Sequence, residues 1–137
     1  MTAPFAARAR RRVLVVAPFV PSVDGAHGSS RAIGSLVAAL ADHHDVGVIY
    51  LRGLDEARID PALEGRLAFT AEVPRPGPAP AGRRRVRLLA SLARGRPMWV
   101  HHFWSHALDE AIKRAVRSFQ PDVVQVELAV LAPALAA

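Results

Sequence analysis

Cysteine is absent from the 137 residues. That excludes a disulfide framework and any thiolate metal site, and it suits a reducing compartment. Lysine is almost absent: 17 of the 18 basic residues are arginine, within a net charge of +6. Aromatic residues make up 6% of the chain and no nucleic-acid module is recognisable, so a nucleic-acid partner is not expected. No apolar run approaches the ~20 residues that a membrane span needs. The opening "ARARRRVLVVAPFVPS" mimics a secretion signal, but Pro18 and Pro21 interrupt the apolar segment early, and a first buried strand accounts for it better. The expected location is cytoplasmic, with at most peripheral contact to a membrane. Two nucleotide motifs are missing as well. The glycines run Gly25-x-x-Gly28 rather than G-x-G-x-x-G, and Tyr50-Leu51-Arg52 stands where a dinucleotide site needs an acid. Nor is there a G-x-x-x-x-G-K-[ST] P-loop.

What is present is ordinary for a globular domain: 51% hydrophobic and 22% charged residues. The length suits one domain, which buries about 68% of its unfolded-state surface. Arginine forks match phosphate and carboxylate oxygens, so the positive charge leaves two readings open, an anionic partner or a solvated basic surface.

Residues 1–11 read as a loose basic tail, and 12–137 as the domain. "RVLVVA" (Arg12–Ala17) is a β-branched run of the kind buried on both sheet faces. A loop over 18–28 leads to a helix capped by Gly28 or Ser29, with Ile33, Leu36, Val37 and Leu40 as its apolar stripe. "DVGVIYL" (Asp45–Leu51) is a second strand, and a strand–helix–strand unit of this length implies a parallel sheet. A third strand is expected over Leu67–Val73. "PRPGPAPAG" (Pro74–Gly82), with four prolines in nine residues, is a loop. A helix over Arg83–Arg96 follows, then one over Ser105–Phe119 with Leu108, Ala111, Ile112, Ala115, Val116 and Phe119 on its buried side. Asp109–Lys113 and Glu110–Arg114 are spaced for ion pairs on that helix. Pro121–Leu128 reads as a fourth buried strand, and 129–137 as the start of a helical segment. The fold class is therefore α/β, a Rossmann-like parallel sheet with helices on both faces.

In doubly wound folds, the loop leaving the first strand is where ligands bind. The helix that it opens offers free N–H groups and partial positive charge. Gly25 and Gly28 would let an anion approach the backbone, and His27, Ser29, Ser30 and Arg31 would add donors. A purely structural role for the glycines, as turn formers, stays open.

The order "P-x-x-P" (Pro18–Pro21), Gly25/Gly28, Leu36/Leu40, His44-Asp45-Val46, and later "FQPDVVQVELAVLAPAL" (Phe119–Leu135), resembles a GT-B glycosyltransferase, in particular the family-4-like N-terminal domain. The resemblance spans most of residues 12–135. It implies two Rossmann-like domains facing a cleft. The N-terminal one mainly binds the acceptor, and a C-terminal one holds a nucleotide-diphosphate sugar with paired glutamates. It implies no metal or further cofactor, with the leaving group stabilised by positive groups and helix N-termini. Gly25 and Gly28 would lie beside donor phosphates or acceptor. The chain departs from the pattern at Gln125-Val126-Glu127, where many members carry H-x-H. Glu127 stands where the second histidine contacts the transferred sugar, and the second glycine of the usual pair is displaced by two residues. The substrate-binding candidates are thus Gly25, His27, Gly28, Ser29, Arg31 and Glu127, with no catalytic residue and no metal ligand assigned. The paired-glutamate motif is missing, so the chain is expected to be a truncated enzyme, inactive alone. The alternative is a non-catalytic anion- or nucleotide-binding module.

Two other features carry readings of their own. His102 and His106 have the i, i+4 spacing of a metal pair but no third ligand nearby. The helix over Arg83–Arg96 puts Val86, Leu89, Leu92 and Ala93 on one side and Arg84, Arg87 and Arg94 on another. It would pack on the sheet with its arginines in water, or lie on an anionic membrane surface.

Overall fold

The computed structural model of the chain describes residues 9–25, 27–77, 80–93, 103–128 and 131. Four strands form one all-parallel sheet: β1 (Arg12–Ala17), β2 (Asp45–Arg52), β3 (Phe69–Pro74) and β4 (Val123–Val126), in the order β3-β2-β1-β4. Between them run α1 (Gly28–His43), the single turn α2 (Pro61–Glu64), α3 (Ala81–Ala93) and α4 (His106–Phe119). The fold is Rossmann-like α/β, as the alternation of apolar runs and amphipathic segments predicts.

The parity of β1 explains the layers. Val13, Val15 and Ala17 point to one face, where Val46, Val48 and Tyr50 of β2 join them under Ile33, Val37 and Ala41 of α1. Leu14 and Val16 point to the other, with Ile49, Leu51 and Val73, under Leu108, Ala111, Ile112 and Ala115 of α4. A strand buried on both sides has no polar alternation to show, which is why β1 and β2 read as continuous apolar runs.

Two glycines let elements approach more closely than any side chain allows. A Cβ at Gly34 of α1 would land inside the backbone of Ser22, in the loop after β1. A Cβ at Gly47 of β2 would strike the ring of Phe69, which itself packs edge-on against Phe119 at 5.1 Å between centroids.

Several boundaries differ from the sequence expectation. The N-cap of α1 is His27 rather than Gly28 or Ser29, and no side-chain hydrogen bond caps the helix. β3 begins two residues later than expected, and the one-turn α2 precedes it, nucleated by Pro61 at its start and by Asp60 Oδ1 accepting from Ala62 N at 2.8 Å. β4 is only four residues long and, at the edge of the sheet, is not the buried strand expected: Val123 is exposed and Val124 to Val126 are half-buried. Its extension stops at Leu128, whose φ of 68° is left-handed and so incompatible with a continued strand. In α4, Ser105 Oγ caps as a helix start should, accepting from Leu108 N at 3.1 Å. Lys113 Nζ reaches Asp109 Oδ2 at 2.8 Å, but no Glu110–Arg114 pair forms among the described residues. Val116, expected on the buried side, is 42% exposed. Arg10 of the expected tail docks on the start of β2, with Nε 3.1 Å from Asp45 Oδ1. The expected segment over 129–137 lies outside the described residues, apart from the fully buried Leu131.

Candidate functional site

The three strands β1, β2 and β3 end on the same side, and the segments leaving them enclose a cleft of about 610 Å³. One wall is the β1–α1 loop with the first turn of α1, contributing Phe19, Ser22, Gly25, His27 and Ser29. The other is the segment after β2, Asp55 to Arg58, and Arg75, the first residue after β3, lines the cleft as well.

Arg75 holds this arrangement together. Its backbone N–H donates to Arg52 O at the end of β2, at 2.9 Å. Its guanidinium grips Glu56 bidentately, at 2.5 and 2.9 Å, and also donates to Pro18 O just after β1, at 3.2 Å. The same group lies over the Phe19 ring, 5.1 Å from its centroid. Glu56 in turn accepts from Gly53 N at 3.0 Å, and its own carbonyl accepts from Arg52 Nη1 at 2.8 Å. One side chain therefore fastens the carboxyl ends of three strands.

Burial pushes the Glu56 carboxyl up, but the Gly53 N–H and the Arg75 guanidinium outweigh it, and the group titrates below its ordinary value of about 4.5. Its ion pair therefore stabilises the fold fully above the ordinary carboxylate value. That stabilisation fades as pH falls through the lower folded one. Glu56→Gln is expected to lower the urea-unfolding free energy at neutral pH by about 1–2 kcal/mol. The gap between variant and parent should narrow on acidification, because the parent loses the same charge. A gap that stays constant down to strongly acidic pH would remove the electrostatic account.

The structure sorts the sequence candidates. Gly25, His27 and Ser29 come together on one wall of the cleft. Gly28 sits between them at the first position of α1, and a Cβ there would meet open space, so the position leaves room for a ligand but does not demand glycine sterically. Arg31 is exposed and does not line the cleft. The Ser30 hydroxyl, expected as a ligand donor, is spent internally on the Val20 carbonyl. Glu127 is at the end of β4, where its N–H donates to Val16 O at 2.9 Å and its carboxylate accepts from Gln125 Nε2 at 2.7 Å. It too lies outside the cleft lining. Sequence reasoning missed Glu56, Arg58 and Arg75. The only available signal was a charged stretch directly after a buried strand, "GLDEAR", and one arginine in the proline-rich loop.

Of the two histidines at i, i+4 spacing, His102 lies outside the described residues. His106 instead gathers with Asp109 and Glu110, their ligand atoms within 4.8 Å of one another, but Asp109 is already engaged by Lys113. Among the described residues, no helix is long and apolar enough to cross a membrane.

Chemically, the cleft offers carboxylates at Asp55 and Glu56, guanidiniums at Arg58 and Arg75, an imidazole at His27 and a hydroxyl at Ser29. Donors and acceptors are mixed and the charges nearly balance. Such a lining suits a neutral ligand bearing several hydroxyls, since each hydroxyl both donates and accepts. Comparison with protein-family models, with curated proteins and with solved structures finds no match for this chain.

Proposed function

We propose that this chain is the acceptor-binding half of a glycosyltransferase, whose complete enzyme moves a sugar from a nucleotide-diphosphate donor to an acceptor hydroxyl. The observation that carries the reading is the charge-balanced cleft at the carboxyl ends of parallel strands, the place where open α/β sheets bind ligands. Its carboxylates would accept from sugar hydroxyls, while Ser29, His27 and Arg58 would donate to them. Transfer itself requires a donor-binding half as well. No cofactor enters this scheme, and no residue of the chain is given the role of base.

A second reading has one observation in its favour. No side chain caps α1, and no acidic residue stands in its first turn, so its leading N–H groups are left to solvent or to an anion. On that reading the chain is a non-catalytic anion-binding module.

Both are tested by following backbone amide resonances during titration with a panel of neutral mono- and disaccharides, and in parallel with inorganic phosphate and uridine diphosphate. Shifts at Gly25, His27, Ser29 and Arg58 with a saccharide, abolished by the cleft-filling Ser29→Trp, are the expected result. Shifts with phosphate or nucleotide alone would favour the anion module. Silence throughout would sink both.

A further inference from the structure

The helix α3 (Ala81–Ala93) contains four arginines and no acidic residue in its sequence AGRRRVRLLASLA. Packing of its apolar side on the sheet is one of the two expectations for this helix. The structure removes that option for the residues it describes. Val86 is 67% exposed and Leu89 66%, and none of the described side chains of α3 is buried. Val86 and Leu89 are three apart, so they share one side of the helix. Arg83 and Arg85 are exposed as well. The side chains of Arg84 and Arg87, like Arg94 altogether, lie outside what is described.

An exposed apolar strip on a helix with uniform positive charge has a restricted set of partners. A nucleic acid would engage the arginines and leave Val86 and Leu89 in water. An apolar protein groove would cover the two side chains and leave four like charges uncompensated. An anionic lipid surface satisfies both at once. The apolar strip enters the boundary between headgroups and acyl chains, and the guanidiniums meet lipid phosphates bidentately. The helix is 13 residues long, about 20 Å, too short to span and suited to lying in the interface plane.

We infer that α3 docks the protein on the surface of an anionic membrane, with Val86 and Leu89 inserted and Arg83 and Arg85 at the headgroups. This inference is independent of the sugar-binding proposal. It has a geometric consequence for the cleft. Arg75 lines the cleft and α3 begins at Ala81, so the connecting chain spans at most roughly 20 Å. A docked α3 therefore keeps the cleft beside the membrane.

The test is sedimentation of the full chain with vesicles of phosphatidylcholine alone, and with vesicles in which about a third of the lipid is phosphatidylglycerol. The parent protein is expected to pellet with the anionic vesicles, to remain in solution with the neutral ones, and to be released by raised salt. Arg83→Gln and Arg85→Gln should each weaken partitioning about fivefold. The double variant Val86→Ser/Leu89→Ser should weaken it roughly tenfold or more. All these positions are exposed, and an unchanged urea midpoint confirms that each variant keeps its fold. Equal binding to neutral vesicles overturns the inference, as does the absence of binding to anionic ones. So does full retention of binding by the Val86/Leu89 variant, or preferential capture by duplex DNA over vesicles, since either would leave the apolar strip without a role.

Discussion

Leu14→Ala is expected to cost about 2–5 kcal/mol of folding stability, the largest effect of any single truncation considered for this protein. Leu14 is fully buried on β1, the strand with neighbours on both sides, and sits in register with Gly47 and Val124. Its side chain belongs to the cluster roofed by Leu108 and Ile112 of α4. The Phe69 ring already covers Gly47 beside it and is itself packed against Phe119, so the surroundings are expected to relax only partly into the space. The cost then includes the cavity as well as the lost transfer energy. Domains of this kind are stable by only ~5–15 kcal/mol, so the variant should lose a large part of its unfolding midpoint in urea. Leu54→Ala serves as the control. Leu54 is 97% exposed, and its truncation should move stability by no more than about 0.5 kcal/mol. Similar losses at the two positions would mean that the sheet is not packed as described.

Gly34→Ala is expected to destabilise by about 1–3 kcal/mol, against the usual trend for its kind. In an ordinary helix interior the same exchange gains roughly 0.5–1 kcal/mol through propensity and reduced unfolded-state entropy. Here the added Cβ falls inside the N, C and O atoms of Ser22. The obstruction is backbone, and it cannot rotate away. Ser22 N–H donates to Ser30 O at 3.2 Å, and the Ser30 hydroxyl holds Val20 O, so the loop is tied to the helix it would have to leave. Steric conflict should therefore exceed the propensity gain. Relief by shifting the loop would displace Ser22 and Gly25 from the cleft wall, visible as amide-shift changes at Gly25, His27 and Ser29. A raised urea midpoint with unmoved resonances would show that the close approach is not real.

Much of the sheet was legible before any coordinates. β1 matched its expected bounds because five successive buried positions leave no polar residue to confuse the reading. The start of α4 was legible because Ser105 is a capping residue followed by an apolar stripe at helical spacing. The one-turn α2 was missed because four residues cannot display a period. The limits of β4 were misjudged because apolar residues recur at Val124, Val126 and Leu128 in strand-like alternation, while the backbone turns at Leu128. The placement of Gly25, His27 and Ser29 on one cleft wall was legible from position alone, since they follow the first strand. Glu56 and Arg75 were not, because they are 19 residues apart and meet only when β2 and β3 are laid side by side. The internal partners of Ser30 and Glu127 were not legible for a related reason, since sequence spacing does not disclose them.

The Arg75 fork sets a mechanical limit on the cleft. Its guanidinium reaches Pro18 on one wall and Glu56 on the other, so the separation of those two walls is gauged by the width of a single planar group. The walls cannot spread independently while both contacts persist. A bulky guest must either fit the existing gap or prise Arg75 from one side. On the proposed function, Arg75 would then limit the size of the guest through the two walls that it ties together.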